Sequence, residues 1–259
     1  MQPTMEILAK ISKNSNRNKE EVFTKLYRYL LRPDLYFEAY RNLYANSGAA
    51  TRGVNKDTAD GFSEAKIAKI IKSLADETYW PMPVRRTYIE KSNGKKRPLG
   101  IPTFTDKLVQ EALRMILQAV YEPVFLNCSH GFRPNRSCHT ALTEVKNEVT
   151  GARWFVEGDI KGCFDNIDHT VLVGLINQKI KDARLIKLIR KFMKAGYVED
   201  WRYHGTYSGT PQGGIISPIL ANIYLHELDK FVMKLKADFD VYEKKKYTPE
   251  YNALLRVCF

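Results

Sequence analysis

The residue pattern predicts an α+β fold. Three observations carry that expectation. Apolar positions recur at helical spacing through much of the chain, two stretches alternate as β-hairpins do, and the turn sequence Ser92-Asn93-Gly94-Lys95 joins the strands of the first hairpin. The order of elements is helices, hairpin, helices, strand, helices, hairpin, helix, which groups strands and helices rather than alternating them as a parallel α/β sheet would.

Taken in order, residues 1–80 read as helical. Lys19 to Leu31 carries Val22, Phe23, Leu26 and Leu30 on one face, which predicts a helix, and Pro33-Asp34 starts a second one rich in Tyr and Phe. Asn46 to Phe62 is a glycine-bearing loop. Glu64 to Ala75 then sets Ile67, Ile70, Ile71 and Leu74 on one stripe. The character changes at Pro81: Val84 to Lys91 and Lys96 to Pro102 are the hairpin strands. A helix follows with Thr105 as its expected N-cap and Val109, Ala112, Leu113, Ile116, Leu117 and Val120 as its inner face. Residues 124–137 form a Gly/Pro/Asn-rich loop before a helix from His139 to Val149. Trp154 to Ile160 reads as a short buried strand, and Asp168 suits the cap of a helix beginning at His169. A helix over Ala183 to Lys194, a hairpin over Tyr197 to Tyr207 and a long apolar helix from Ile216 to about Leu235 complete the series.

With 259 residues, 44% of them hydrophobic, the chain can bury a sizeable core, as one domain with an appendage or two closely packed subdomains. Its 41 Lys+Arg against 29 Asp+Glu give a net charge of +12 and a pI near 9.4. That excess favours a polyanionic partner, because cationic side chains on phosphates release condensed counterions. No apolar run approaches the length of a membrane span and the N-terminus lacks a signal-peptide core, so a cytoplasmic protein without a membrane partner is expected. Cysteines at 128, 138, 163 and 258 form no Cys-x-x-Cys and fit reduced thiols. Cys128, His130, Cys138 and His139 lie close in sequence. However, adjacent Cys138 and His139 converge poorly on one tetrahedral ion and the spacing matches no zinc finger, so zinc is not expected.

The acid-rich stretch EGDIKGCFDNIDH, residues 157–169, poses the functional question. Asp159 follows an apolar run and a glycine, a position that suits a metal ligand; as an isolated aspartate it would equally suit turn amides. Asp165 beside Asn166 and Asp168 before a helix read as turn and cap residues. Context separates the first from the other two. Four segments occur in order: KSNGKKRPLGIP (91–102), SHGFRPNRS (129–137), GDIKGCFDNIDH (158–169) and GTPQGGIISPILANIYL (209–225). Together they resemble the reverse transcriptase encoded by bacterial group II introns, the intron maturase. The likeness runs from about Pro81 to Leu235, and SGAATRGVNKDTADG (47–61) is similar to that family's N-terminal extension, with Asn55 where an aspartate is usual.

The resemblance implies a right-hand polymerase: a helical N-terminal extension (1–80), fingers (81–150), and a palm with a returning fingers segment (151–259). It implies that Asp159 and the Ile160 carbonyl bind Mg²⁺, two ions in the complete site, as suits phosphoryl transfer. Phe164 would be the sugar-sensing aromatic that leaves no room for a 2′-hydroxyl, pointing to deoxynucleoside triphosphates. Lys91 and Arg97 would contact the triphosphate. Gln212 and Gly213 would lie against the template–nucleotide pair. Arg85, Arg86, Lys95, Lys96, Arg133 and Arg136 are the expected RNA-binding residues. The implied partners are group II intron RNA, an RNA template and a DNA primer.

One departure counts against autonomy. The family takes its remaining catalytic carboxylates from a Tyr-x-Asp-Asp hairpin beyond the long helix, and no Asp-Asp pair occurs here; Tyr197-Val198-Glu199-Asp200 precedes that helix and reads as structural. The chain is therefore expected to be cut before that hairpin and not to polymerise alone. Two other readings stay open: an RNA-binding maturase module without polymerase activity, and a retron- or defence-type reverse transcriptase. The aromatic N-terminal helices leave open a homodimer, RNA contact or contact with a thumb.

Overall fold

The computed structural model describes residues 2–46, 48–90, 94–148, 157–210 and 213–240. Eight α-helices and four strands follow in order among them: α1 (Thr4–Arg17), α2 (Pro33–Tyr44), α3 (Glu64–Ala75), β1 (Val84–Glu90), β2 (Lys96–Ile101), α4 (Phe104–Tyr121), α5 (Cys138–Glu148), α6 (His169–Lys179), α7 (Ala183–Met193), β3 (Tyr197–Glu199), β4 (Arg202–His204) and α8 (Ser217–Asp240). This is the expected α+β class. The chain divides into two units, one of Met1–Val124 with Cys163–Ala221, the other of Phe125–Gly162 with Asn222–Phe259.

The first unit is built around α4. Apolar residues surround this helix on nearly every side, and Leu108, Val109, Ala112, Leu113, Ile116, Leu117 and Val120 are wholly buried. The burial takes in polar residues as well, Asp106, Lys107, Gln110 and Glu111, so α4 is covered beyond its apolar stripe. Here α1 and α2 supply cover through Leu8, Ile11, Leu35, Tyr36, Ala39 and Leu43. Each large side chain so buried contributes about 1.5–3 kcal/mol. The cap of α4 is Thr103, not Thr105. The Thr103 hydroxyl accepts from the Asp106 amide (3.2 Å) and donates to the Asp106 carboxylate (2.6 Å), a reciprocal arrangement, while Thr105 donates to Asp57 (2.7 Å).

Lys19 to Leu31 departs from the helical expectation. The Phe23 amide donates to the Lys179 carbonyl (2.9 Å) and the Lys181 amide to the Phe23 carbonyl (2.8 Å), so this segment is extended as far as a 3₁₀ turn over Tyr27–Leu31. Val22 is exposed, off any buried face. Pairing with a distant backbone overrides a local pattern, which is only a weak prior.

The strands form one sheet in the order β2-β1-β3-β4. β1 and β2 are antiparallel with Arg85 opposite Ile101 and Ile89 opposite Arg97; β1 and β3 run parallel at Val84–Tyr197 and Arg85–Val198. Alternation along a strand gives the sheet two faces. Arg85, Thr87 and Ile89 share one with Arg97, Leu99 and Ile101; Val84, Arg86 and Tyr88 share the other with Pro98, Gly100 and Tyr197. α6 begins at a cap formed by Asp168, whose carboxylate accepts from the Thr170 and Val171 amides (2.7 and 2.9 Å).

In the second unit, Arg133 is buried. It donates to the carbonyls of Leu126 (2.6 Å) and Ser129 (2.8 Å) and lies over the Phe125 ring. His130 sits between Thr140 and Glu144, 2.9 Å from each, and Asn222 donates to the Gly131 carbonyl (2.9 Å). Of the expected strand Trp154 to Ile160, residues 154–156 lie outside the described residues. Glu157 to Ile160 are exposed and irregular, as suits the poor strand formers Glu, Gly and Asp. No helix among the described residues is long and apolar enough to cross a membrane.

Candidate nucleotide site

Parts of three of the four sequence motifs converge in the first unit. The segment Ser208–Thr210 is fastened to the turn that carries Phe164. The Thr210 amide donates to the Phe164 carbonyl (2.7 Å), the Gly209 amide to the Ile167 carbonyl (2.8 Å), and the Ser208 hydroxyl to the Asp165 carbonyl (3.1 Å). On the other side of Gly209, His169 Nε2 donates to its carbonyl (2.6 Å). Gly209 has φ +79°, and a Cβ there would lie 2.5 Å from the Phe164 carbonyl oxygen and 2.7 Å from Asp165 Cα. Only glycine permits so close an approach of one backbone to another in that conformation.

A few residues on, Gly213 presses the same segment onto β2. Its φ is +101°, and an added Cβ would meet the Gly100 carbonyl oxygen at 2.5 Å and the Leu99 side chain at 2.7 Å. The loop is thus held between the Phe164 turn and β2, and the Ile216 amide leans on the Gln110 side chain (3.4 Å) where the loop enters α8. Phe164 is half-buried at this junction. Gln212 and Pro211, between the two anchored glycines, lie outside the described residues, as does Lys91.

The basic hairpin sorts its charges by face. Arg97 is exposed beside Leu99, on the face against which Gly213 packs, and forms no hydrogen bond or ion pair among the described residues. Lys95 and Lys96 are exposed near the turn. Arg85, also on that face, is committed to the chain itself: it donates to the Arg52 carbonyl (2.8 and 3.1 Å) and to Gly53 (3.2 Å). Lys107 grips the same loop through the carbonyls of Gly48 (2.9 Å) and Thr51 (2.8 Å), and burial, with Arg85 adding to it, pushes its ammonium below the usual lysine range. Arg86 is on the opposite face, its guanidinium 3.7 Å above the Tyr197 ring. Glu199, from the stretch read as structural, accepts from the Tyr88 hydroxyl across the sheet.

Asp57 ties the loop to the α4 entrance by accepting from Lys66, the Thr105 amide (3.0 Å) and the Thr105 hydroxyl (2.7 Å). Burial raises its carboxyl, but the hydrogen bonds from Lys66 and Thr105 outweigh that and hold it below the usual range. Neither Asp57, Lys107 nor His169 is singled out by local pattern. His169 closes the motif GDIKGCFDNIDH, and that position is the available signal. The other two act across long sequence separations that no local spacing reveals.

Asp159 and Ile160 belong to the second unit, both exposed, and the Asp159 carboxylate forms no hydrogen bond or ion pair among the described residues. An exposed carboxylate is a suitable hard ligand for a divalent cation, but magnesium asks for about six oxygens in near-octahedral array. No group of three His, Cys, Asp or Glu side chains comes together among the described residues. The described residues therefore complete no metal site by themselves. Arg136, half-buried, is spent on the Asn127 backbone and side chain, and Arg133 on its own loop as above.

The sequence family described as reverse transcriptase (RNA-dependent DNA polymerase) matches residues 89–243. The group II intron-encoded protein LtrA of Lactococcus lactis subsp. cremoris is 69% identical over 255 residues, covering 98% of this chain and 43% of that protein. An uncharacterized 91 kDa protein in the cob intron of Schizosaccharomyces pombe is 49% identical, covering 90% of this chain and 30% of its own length. Protein YkfC of Escherichia coli K12 is 39% identical over 80% of this chain and 57% of its own length. The chain thus spans less than half the length of the first of these relatives.

Proposed function

Because this chain belongs to the reverse transcriptase (RNA-dependent DNA polymerase) family, we propose that its whole protein copies an RNA template into DNA for a group II intron and binds the intron RNA as a splicing maturase. The observation that carries the reading is the fastening of Gly209 and Thr210 to the Phe164 turn and of Gly213 to β2, which brings parts of three separate motifs together.

Each group has a task in nucleotidyl transfer. The fork of Arg97, with Lys91, binds the triphosphate and neutralises its charge. The Phe164 ring lies under the sugar and excludes a 2′-hydroxyl. Gly213 lets the backbone meet the template–nucleotide pair, and Gln212 adds a polar contact there. Such preorganised groups hold the reacting atoms in place with no reorganisation at the moment of reaction. Asp159 and the Ile160 carbonyl would hold Mg²⁺, whose remaining ligands lie outside the described residues. Lys95 and Lys96 are assigned to nucleic-acid backbone. The partners are an RNA template, a DNA primer, deoxynucleoside triphosphates and intron RNA.

The test is primer extension on an RNA template by the full-length protein carrying Asp159→Ala. Loss of incorporation by at least about 10³-fold, with RNA binding kept, is expected for a group acting on the reacting phosphate. Incorporation near the parent rate would remove Asp159 from the mechanism. Salt-sensitive RNA binding in a full-length parent that incorporates no nucleotide would instead favour the maturase reading alone.

A further inference from the structure

The stretch from Phe164 to His169 meets Ser208–Thr210 with one polar atom after another. The Phe164, Asp165 and Ile167 carbonyls accept from Thr210, Ser208 and Gly209, and the His169 ring adds a bond in the opposite sense, to the Gly209 carbonyl. A carbonyl only accepts, so Nε2 is the ring nitrogen that carries the proton. His169 is half-buried and opens α6. The Asp168 carboxylate caps that helix through the Thr170 and Val171 amides, and Leu172 and Ile176 are wholly buried one and two turns on. The ring is therefore aimed by a helix start that is fixed both at its cap and along its inner face.

Two of these bonds fall on a single peptide group. The Gly209 carbonyl and the Thr210 amide lie in one plane. His169 holds the carbonyl (2.6 Å) and Phe164 holds the amide (2.7 Å). That plane needs holding. The absence of a side chain at Gly209 permits the close backbone approach at φ +79°, and it also leaves the backbone there freer to turn. A bond at the amide alone would let the plane swing about that end; a bond at each end fixes its orientation. Thr210 then leads into Pro211, which has no amide hydrogen with which to anchor itself, and Gly213 on β2 is the next attachment. The direction in which the chain leaves Thr210 is thus set by the Gly209–Thr210 plane.

We propose that His169 is a positioning residue for nucleotide binding: by donating its Nε2 proton to the Gly209 carbonyl, it orients the peptide group from which the nucleotide loop departs. This role rests on the polymerase reading of the site above. It asks for no contact between His169 and the nucleotide or the reacting phosphate. The ring acts through the loop, so its loss weakens nucleotide binding and leaves the chemical step alone.

The test uses the full-length protein with an RNA template and a DNA primer. His169→Leu removes the donor, His169→Asn places an amide nitrogen where Nδ1 stands, and His169→Gln reaches as far as Nε2. His169→Leu and His169→Asn should raise KM for the deoxynucleoside triphosphate by about three- to tenfold, the weight of one hydrogen bond, with kcat within about twofold of the parent. Hydrogen exchange over residues 206–216 should accelerate by a similar factor while α4 exchanges as in the parent. His169→Gln should bring both readouts back toward the parent. A folding defect behaves otherwise: it lowers the active fraction, and so the apparent kcat, without moving KM. The proposal is overturned if His169→Leu keeps the parent KM, if exchange over 206–216 is unaltered, or if His169→Gln is no better than His169→Leu. A parent that incorporates no nucleotide brings down the polymerase reading and this role with it, an outcome distinct from an active parent indifferent to His169.

Discussion

Replacing Gly209 by Ala strikes the point where the loop meets the Phe164 turn. Its φ of +79° carries a penalty of about 1–2 kcal/mol for an L-residue. The added Cβ would meet three backbone atoms, the Phe164 carbonyl oxygen at 2.5 Å and Asp165 Cα and carbonyl oxygen at 2.7 Å, none of which can swing aside as a side chain does. Relief requires the two segments to part, breaking the bonds from Gly209 to Ile167 and from Thr210 to Phe164. Each is worth about 0.5–1.5 kcal/mol. The combined destabilisation is about 2–5 kcal/mol, or a fall in Tm of roughly 4–20 °C for a chain of this size. Gly174 provides the opposite sign. It lies exposed within α6 with nothing within 4 Å of an added Cβ, so Gly174→Ala should raise Tm by about 2–4 °C through helix propensity. Scanning calorimetry reads both, and hydrogen exchange at the Thr210 amide reports the local bond. A Gly209→Ala chain melting within about 1 °C of the parent, with Thr210 still protected, would refute the packing argument.

Phe164→Ala in the full-length protein should lower discrimination against ribonucleotides by about tenfold or more, some 1.4 kcal/mol; unchanged sugar selectivity in competitive incorporation counts against the gate. Lys107→Met keeps the buried stem but removes the bonds to Gly48 and Thr51. Exchange or proteolysis in residues 48–53 should then accelerate by roughly tenfold, and equal protection in variant and parent would show that Lys107 does not hold the loop. Burial holds the His226 imidazole below the ordinary histidine range, with Lys230 and Arg133 adding to that and Glu227 opposing it. The unfolded chain therefore binds more protons than the folded one just below about pH 6.5, and stability falls as the pH drops through that window. His226→Phe should flatten the change in unfolding free energy between about pH 7.5 and 5.5, and an unaltered slope would assign it to other groups.

The helices were legible where burial is periodic and local. Every residue of the stripe expected on α4 is buried, although burial there extends well beyond it, and α3 has the expected limits, because 3.6-residue spacing needs no partner to be recognised. The Lys19–Leu31 segment shows the opposite case. Its spacing was helical, but its backbone bonds go to Lys179 and Lys181, far along the chain, which periodicity cannot register. The α4 cap lies two residues before the expected Thr105, at Thr103, which carries the Thr-x-x-acid signature with Asp106; Thr105 stands close to the same apolar run and so competes in the sequence. At the candidate site the motifs identified the loop, the Phe164 turn and β2, but not which face each arginine takes. Arg85 and Arg86 are neighbours in sequence and opposite in role: one clamps a loop, the other stacks on Tyr197. Strand pairing across distant segments decides this.

The parallel join of β1 to β3 sets a schedule for synthesis. A ribosome delivers the β1–β2 hairpin early and Tyr197–Glu199 only after α4 to α7 have emerged. Until then the root of β1 presents unpaired amides and carbonyls, a template for pairing with another nascent chain. A product released between these two points would keep that basic strand open, so translation arrest in this interval should yield aggregates, and arrest just beyond β4 should not.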